Sequence, residues 1–124
     1  MKRKLICFLF IIILFTGCGS ADDKISDDGK VNYVKAKELI INNGAILVDV
    51  RTKEEYADGH IDGAVNLPVD DINEDSVKEV VKDKYDVIIV YCKSGVRSNN
   101  AADKLKDLGY NNIYDLGAMS NWKE

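Results

Sequence analysis

From Val31 onward the apolar positions of the chain switch repeatedly between a helical period and short continuous runs. In "YVKAKELIINNG", Ala36, Leu39 and Ile40 share one helical face and Gly44 marks a stop. "AILVDV" (Ala45 to Val50) is a short run with β-branched residues, which predicts a buried strand. Thr52 followed by Glu55 is a capping-box pattern that opens a short helix. "GAVNLP" predicts a brief strand closed by the only proline, Pro68. "INEDSVKEVVKDK" places Val77, Val80 and Val81 on one helical face, and "DVIIVY" (Asp86 to Tyr91) predicts a second buried strand. "SNNAADKLKDLGY" carries Ala101, Ala102, Leu105 and Leu108 at helical spacing, with Gly109 past the end. A last short strand, "NNIYDL", and a closing helical turn, "AMSNWKE", complete the chain, and no segment repeats. Alternating strands and helices predict an α/β domain, a parallel sheet with helices on both faces. Ligands of such sheets sit beyond the carboxyl ends of the strands.

The first 30 residues follow neither period. "MKRK" is basic, "LICFLFIIILF" is an apolar run of 11 residues, and "TGCGS" is small and polar. A membrane span needs about 20 apolar residues, so the pattern is that of a secretory signal, with residues 1–17 removed. "LFTGC" resembles the lipobox of bacterial lipoproteins, with Gly17 before Cys18 and Phe15 where leucine is usual. That resemblance implies lipidation of Cys18 and anchoring to the outer side of the cytoplasmic membrane. Residues 18–30, including the polar "SADDKISDDGK", read as a flexible tether. Residues 31–124 form the domain.

This changes the picture of the cysteines and of the charge. Cys7 leaves with the signal, Cys18 is acylated, and Cys92 remains alone, so the domain holds no disulfide. One histidine and no paired cysteines leave too few ligands for a metal site, and no cofactor is expected. Taking Lys2, Arg3 and Lys4 from the 17 basic side chains leaves 14 against 21 acidic, a net charge of −7. So acidic a domain is a poor partner for nucleic acid, and any anion site in it must be built locally.

The loop after "DVIIVY" has the means to build one. Cys92 begins the connection into the next helix, and Lys93, Ser94, Gly95, Val96 and Arg97 separate it from Ser98, the expected N-cap. Gly95 allows successive N–H groups to turn inward, and a helix N-terminus and two cations adjoin them. Such surroundings favour thiolate over thiol, and the thiolate is the nucleophile.

"YCKSGVRS" resembles the active-site loop of rhodanese-like sulfurtransferases. "LVDVRTKEEYADGHIDGAVNLP" (Leu47 to Pro68) is similar to another signature stretch of that family, and "LGAMSNWK" (Leu116 to Lys123) to its C-terminal segment. The resemblance spans Val31 to the end. It implies a three-layer fold around a central five-stranded parallel sheet. It also implies a sulfurtransferase in which Cys92 takes a sulfane sulfur from thiosulfate or a related donor, as a persulfide, and passes it to a thiol or cyanide. By position, the loop amides from Lys93 to Ser98 cradle the persulfide, and Lys93 and Arg97 orient an oxyanionic donor. Lys93 stands where thiosulfate-using members tend to carry arginine, and Leu116-Gly117 where two glycines are usual.

The same match puts His60 in a structural turn, as a buried hydrogen-bonding group rather than a catalytic base. Asp49 and Arg51 end a strand beside Cys92 and are expected to brace its loop, with substrate binding as the alternative. Trp122 is expected to close the core. Three rival functions share the fold: a binding module without chemistry, a dedicated persulfide carrier for a protein partner, and a cysteine phosphatase. Phosphatases of this fold place five residues between cysteine and arginine, whereas Lys93 to Val96 make four. The domain is expected to act as a monomer.

Overall fold

Helix and strand alternate as the pattern demands. The structure, a computed structural model, describes residues 29–123. In order come α1 (Tyr33–Asn43), β1 (Ile46–Asp49), α2 (Lys53–Asp58), β2 (Val65–Asn66), α3 (Glu74–Val80), β3 (Val87–Cys92), α4 (Val96–Asp107) and β4 (Asn112–Ala118). Single 3-10 turns occupy Val69–Asp71 and Met119–Asn121. The expected signal, the expected lipidation site at Cys18 and most of the expected tether lie outside the described residues. No helix among the described residues is long and apolar enough to cross a membrane.

The strands run in the order β2-β1-β3-β4, every neighbouring pair parallel. The described residues thus form four strands, not the expected five. The place beside β4 is held by one bridge, Lys30 to Asp115. Val31 N–H donates to the Asp115 carbonyl at 3.0 Å, and Asp115 N–H to the Gly29 carbonyl at 2.9 Å. The segment gets no further because Asn32 then caps α1, its side chain accepting from Lys35 N–H at 2.8 Å. Helix geometry takes over before a second ladder rung can form.

Because successive strand residues point to opposite faces, β3 feeds two cores at once. Ile88, Val90 and Cys92 pack with Val77, Val81, Ala101 and Leu105 under α3 and α4. Ile89 and Tyr91 pack with Ala36, Leu39, Ile61 and Leu116 under α1. This two-sided burial explains why the strand reads as one apolar run. The chain leaves β1 toward β2 and leaves β3 toward β4, so the strand order reverses between β1 and β3. That reversal opens a crevice at their carboxyl ends, and Cys92 is the last residue of β3.

Candidate active site

Cys92 is fully buried, and two backbone donors converge on its sulfur. Gly95 N–H donates to Sγ at 2.9 Å and Ser98 N–H at 3.2 Å. The turn that aims them depends on Gly95, whose φ of +102° suits glycine. Helix α4 starts at Val96 with Gly95 at the N-cap, so Ser98 is its third residue rather than its cap. The Gly95 cap has no side chain to offer. An orphan N–H of the first turn, that of Ser98, therefore takes the cysteine sulfur as acceptor. The Ser98 hydroxyl donates to the Gly95 carbonyl at 3.1 Å and ties the loop to the helix. Of the amides from Lys93 to Ser98, these two reach the sulfur.

The end of β4 presses against the loop. A methyl group on Gly95 would stand 3.8 Å from Gly117 Cα. Leu116 is an extra residue in β4: Val90 pairs with Asp115 but Tyr91 with Gly117. The Asp115 carboxylate accepts from Gly117 N–H at 2.8 Å and holds this bulge. Gly117, at φ +84°, replaces the expected pair of glycines with one, and a Cβ there would lie 3.3 Å from Asn121 Nδ2.

Arg97 is not left open to a ligand. Its Nη1 and Nη2 donate to the two oxygens of Glu55 at 2.7 and 3.0 Å. Glu55 Oε1 also accepts from Thr52 N–H at 3.0 Å and Thr52 Oγ1 at 3.1 Å, so one carboxylate closes the capping box of α2 and clamps the loop arginine. Arg97 lowers the Glu55 pKa first, then the Thr52 N–H, holding it at about 2. The Arg97 pKa is raised, chiefly by Glu55. Lys93 and Ser94 are exposed.

Asp49 and Arg51 lie on the other face of the sheet from Cys92 and brace a different loop from the one expected. Arg51 Nη2 donates to Asp49 Oδ2 at 2.7 Å and to the Gly59 carbonyl at 2.6 Å. The Tyr91 hydroxyl donates to Asp49 Oδ2 at 2.8 Å and accepts from Ile61 N–H at 3.1 Å. The network fixes residues 59–61, and Asp49, bonded to Arg51, raises the arginine pKa further. Burial pushes the Tyr91 phenol well above its ordinary range.

His60 and Ile61 form one wall of a cleft of about 620 Å³, lined otherwise by Lys93, Met119, Ser120 and Trp122. Cys92 itself is not in the lining; the cleft meets its loop at Lys93. A second hollow, of about 520 Å³, is lined by Val31, Asn32, Tyr33, Val34, Asn121 and Lys123, away from the loop. His60 is exposed, not buried as expected. Its ring stacks on Tyr56 at 3.7 Å and its Nδ1 donates to the Tyr56 carbonyl at 2.9 Å rather than reaching Cys92. Trp122 is half-buried, edge-on to Tyr33 at 5.0 Å, and shared between the core and the cleft. Among the described residues no three metal-ligating side chains converge.

Sequence reasoning missed two residues of this site. Glu55 was legible as a capping residue, and its second bond spans 42 positions to Arg97. Tyr91 read as one more apolar residue of a strand, and its hydroxyl finds partners only through the fold.

A parallel α/β sheet that delivers one buried thiol to two converging backbone donors has the features of a domain built for group transfer on cysteine. The particular family follows from kinship. The model of the rhodanese-like domain matches residues 33–124, and the chain belongs to that family: it is a rhodanese-like sulfurtransferase. It is 34% identical over 74 residues to the thiosulfate sulfurtransferase PspE of Escherichia coli K12, covering 60% of this chain and 70% of that one. It is 30% identical over 95 residues to the thiosulfate sulfurtransferase GlpE of Coxiella burnetii, covering 76% and 86%. Among solved structures it resembles a human single-domain sulfurtransferase, TSTD1, with a TM-score of 0.65 and 26% identity over 76% of this chain and 94% of that one. A rhodanese with anions from E. coli superposes with a TM-score of 0.59 and 32% identity, over 62% and 89%.

Proposed function

We propose that the protein moves a sulfane sulfur from thiosulfate or a related donor to a thiol or cyanide through a persulfide on Cys92. The observation that carries this reading is the pair of N–H groups of Gly95 and Ser98 at 2.9 and 3.2 Å from Sγ. In the first step the Cys92 thiolate attacks the outer sulfur of thiosulfate. The S–S bond breaks, sulfite leaves with the electron pair, and the terminal sulfur of the new persulfide carries the negative charge. In the second, the acceptor attacks that terminal sulfur and the Cys92 thiolate departs, giving thiocyanate from cyanide or a new persulfide from a thiol. Charge rests on sulfur before, between and after the steps. The donors aimed at Sγ stabilise the thiolate that starts the first step and departs in the second, without reorganisation. Exposed Lys93 draws the anionic donor toward the loop.

The same reading places the domain outside the cytoplasmic membrane, cut from its signal after residue 17 and anchored through lipid on Cys18. A monomer suffices, because one chain supplies every group named. The four residues between Cys92 and Arg97 close the ring tightly around one sulfur, which argues against a tetrahedral phosphoryl group and a phosphatase. The cleft of about 620 Å³ beside Lys93 favours a second reading, a dedicated carrier whose acceptor thiol belongs to a protein, since thiosulfate and cyanide need far less room.

The test is the intact mass of the full-length protein after thiosulfate and then cyanide, beside Cys92→Ser. One sulfur atom gained, then lost to cyanide, with neither change in the variant, is the expected result. A protein that takes no sulfur from thiosulfate or polysulfide is a binding module instead.

A further inference from the structure

Two cations flank Cys92 in the sequence, but the structure spends one of them. Both terminal nitrogens of Arg97 are bonded to both oxygens of Glu55. The carboxylate cannot swing aside freely, because Thr52 N–H and Oγ1 hold Oε1 from the other direction. The pair is partly exposed, its side chains at 33% and 31%, on the same loop as Lys93. Lys93 is exposed and makes no ion pair among the described residues, so it alone presents an uncompensated positive charge on this loop.

We infer that Glu55 is a specificity-determining residue: by neutralising Arg97 it selects singly charged sulfane-sulfur donors, organic persulfides and thiosulfonates, over doubly charged thiosulfate. The inference rests on the sulfur-transfer reading of Cys92 and sharpens its donor class. Transfer from an organic persulfide has the Cys92 thiolate attack the outer sulfur, break its bond to the inner one and release the thiolate. Transfer from methanethiosulfonate releases methanesulfinate in the same way. Each exchange conserves charge and needs no further reductant. Thiosulfate brings a second negative charge, and with Arg97 neutralised by Glu55 only Lys93 is left to answer it, so the dianion forfeits more attraction at this loop than a monoanion does.

Glu55→Gln is the informative change, because the one amide oxygen of glutamine keeps the capping bonds to Thr52 while the charge and the acceptor of Arg97 Nη2 are removed. With one net positive charge restored at the rim, kcat/KM for thiosulfate should rise about five- to tenfold, mainly through KM, and that for methanethiosulfonate by about two- to threefold. The gain should shrink in about 1 M salt. Adding Arg97→Gln should abolish it, since the freed guanidinium is what the second charge contacts. An equal rise for both donors, or none for thiosulfate, overturns the inference. A parallel titration in the Cys92→Ser background keeps this result separate from the chemistry. Sulfate and methanesulfonate binding would be read from the amide resonances of Lys93 and Ser94, with and without Glu55→Gln. Glu55→Gln should tighten sulfate over methanesulfonate by a similar factor even where no sulfur moves; an unchanged ratio, or no sulfate binding in either protein, also overturns it. Sulfur transfer failing in the wild type while this ratio shifts would count against the persulfide reading alone.

Discussion

The domain contains two arginine–carboxylate pairs that look alike on paper and differ in what surrounds them. Arg51 and Asp49 meet at 2.7 Å with side chains 9% and 0% exposed, and Arg97 and Glu55 meet at 2.7 Å with 33% and 31% exposed. The first is inside the fold, its remaining capacity taken up by the Gly59 carbonyl, the Tyr91 hydroxyl and the Arg51 backbone N–H. Removing one member would leave a charge in low dielectric, so the pair serves as scaffold. The second is partly exposed on the Cys92 loop, where water screens it, its worth to stability is small and its field still acts on an anion that approaches the loop. Similar contact geometry gives one pair to stability and the other to selection, and burial decides which.

The comparison is broken most severely at the buried pair. Arg51→Met strands the Asp49 carboxylate and should cost about 3–5 kcal/mol in chemical denaturation. Adding Asp49→Leu should recover part of that loss, because no unpaired charge then remains. Tyr91→Phe leaves Ile61 N–H without its partner, and Asp49 with one donor fewer, for a loss of about 1–3 kcal/mol. Tyr91 also gives the buried network a pH limit. Its phenol is raised above the ordinary value of 10.0, so its contribution is full below pH 10 and is lost as pH rises beyond it. Alkaline unfolding should therefore begin later in Tyr91→Phe, relative to its own neutral stability.

At the exposed pair, Glu55→Gln should change stability by at most about 1 kcal/mol in the same experiment. The smallest effect is its pH dependence. Glu55 falls from 4.5 to about 2 on folding, so its contribution is present above pH 4.5 and disappears as pH drops toward 2. The difference between wild type and Glu55→Gln should close over that window, measured by denaturation at fixed ionic strength. A difference undiminished between pH 4.5 and pH 2 would mean the pair is structural after all.

Much of the fold was legible without coordinates because its signals are local. The Thr52–Glu55 capping box, the run into β3 and the helical spacing of Ala101, Ala102 and Leu105 each depend on residues a few positions apart. The fifth strand was not, since its failure turns on where Asn32 lets α1 begin. The thiol loop was legible through its glycine and its place at a strand end. Its capping was misread because a sulfur substituted for the serine hydroxyl.

What the sequence by itself determined is therefore the order of elements, a thiol at the carboxyl end of a buried strand, and the family. These follow from periodicity, turn chemistry and motifs that act within one stretch of chain. The tertiary structure alone decided which amides touch the sulfur, which loop Asp49 and Arg51 brace, and that Arg97 is already answered by Glu55. Those outcomes require side chains distant in sequence to meet, and the electrostatic value of a charge depends on its neighbours and its burial.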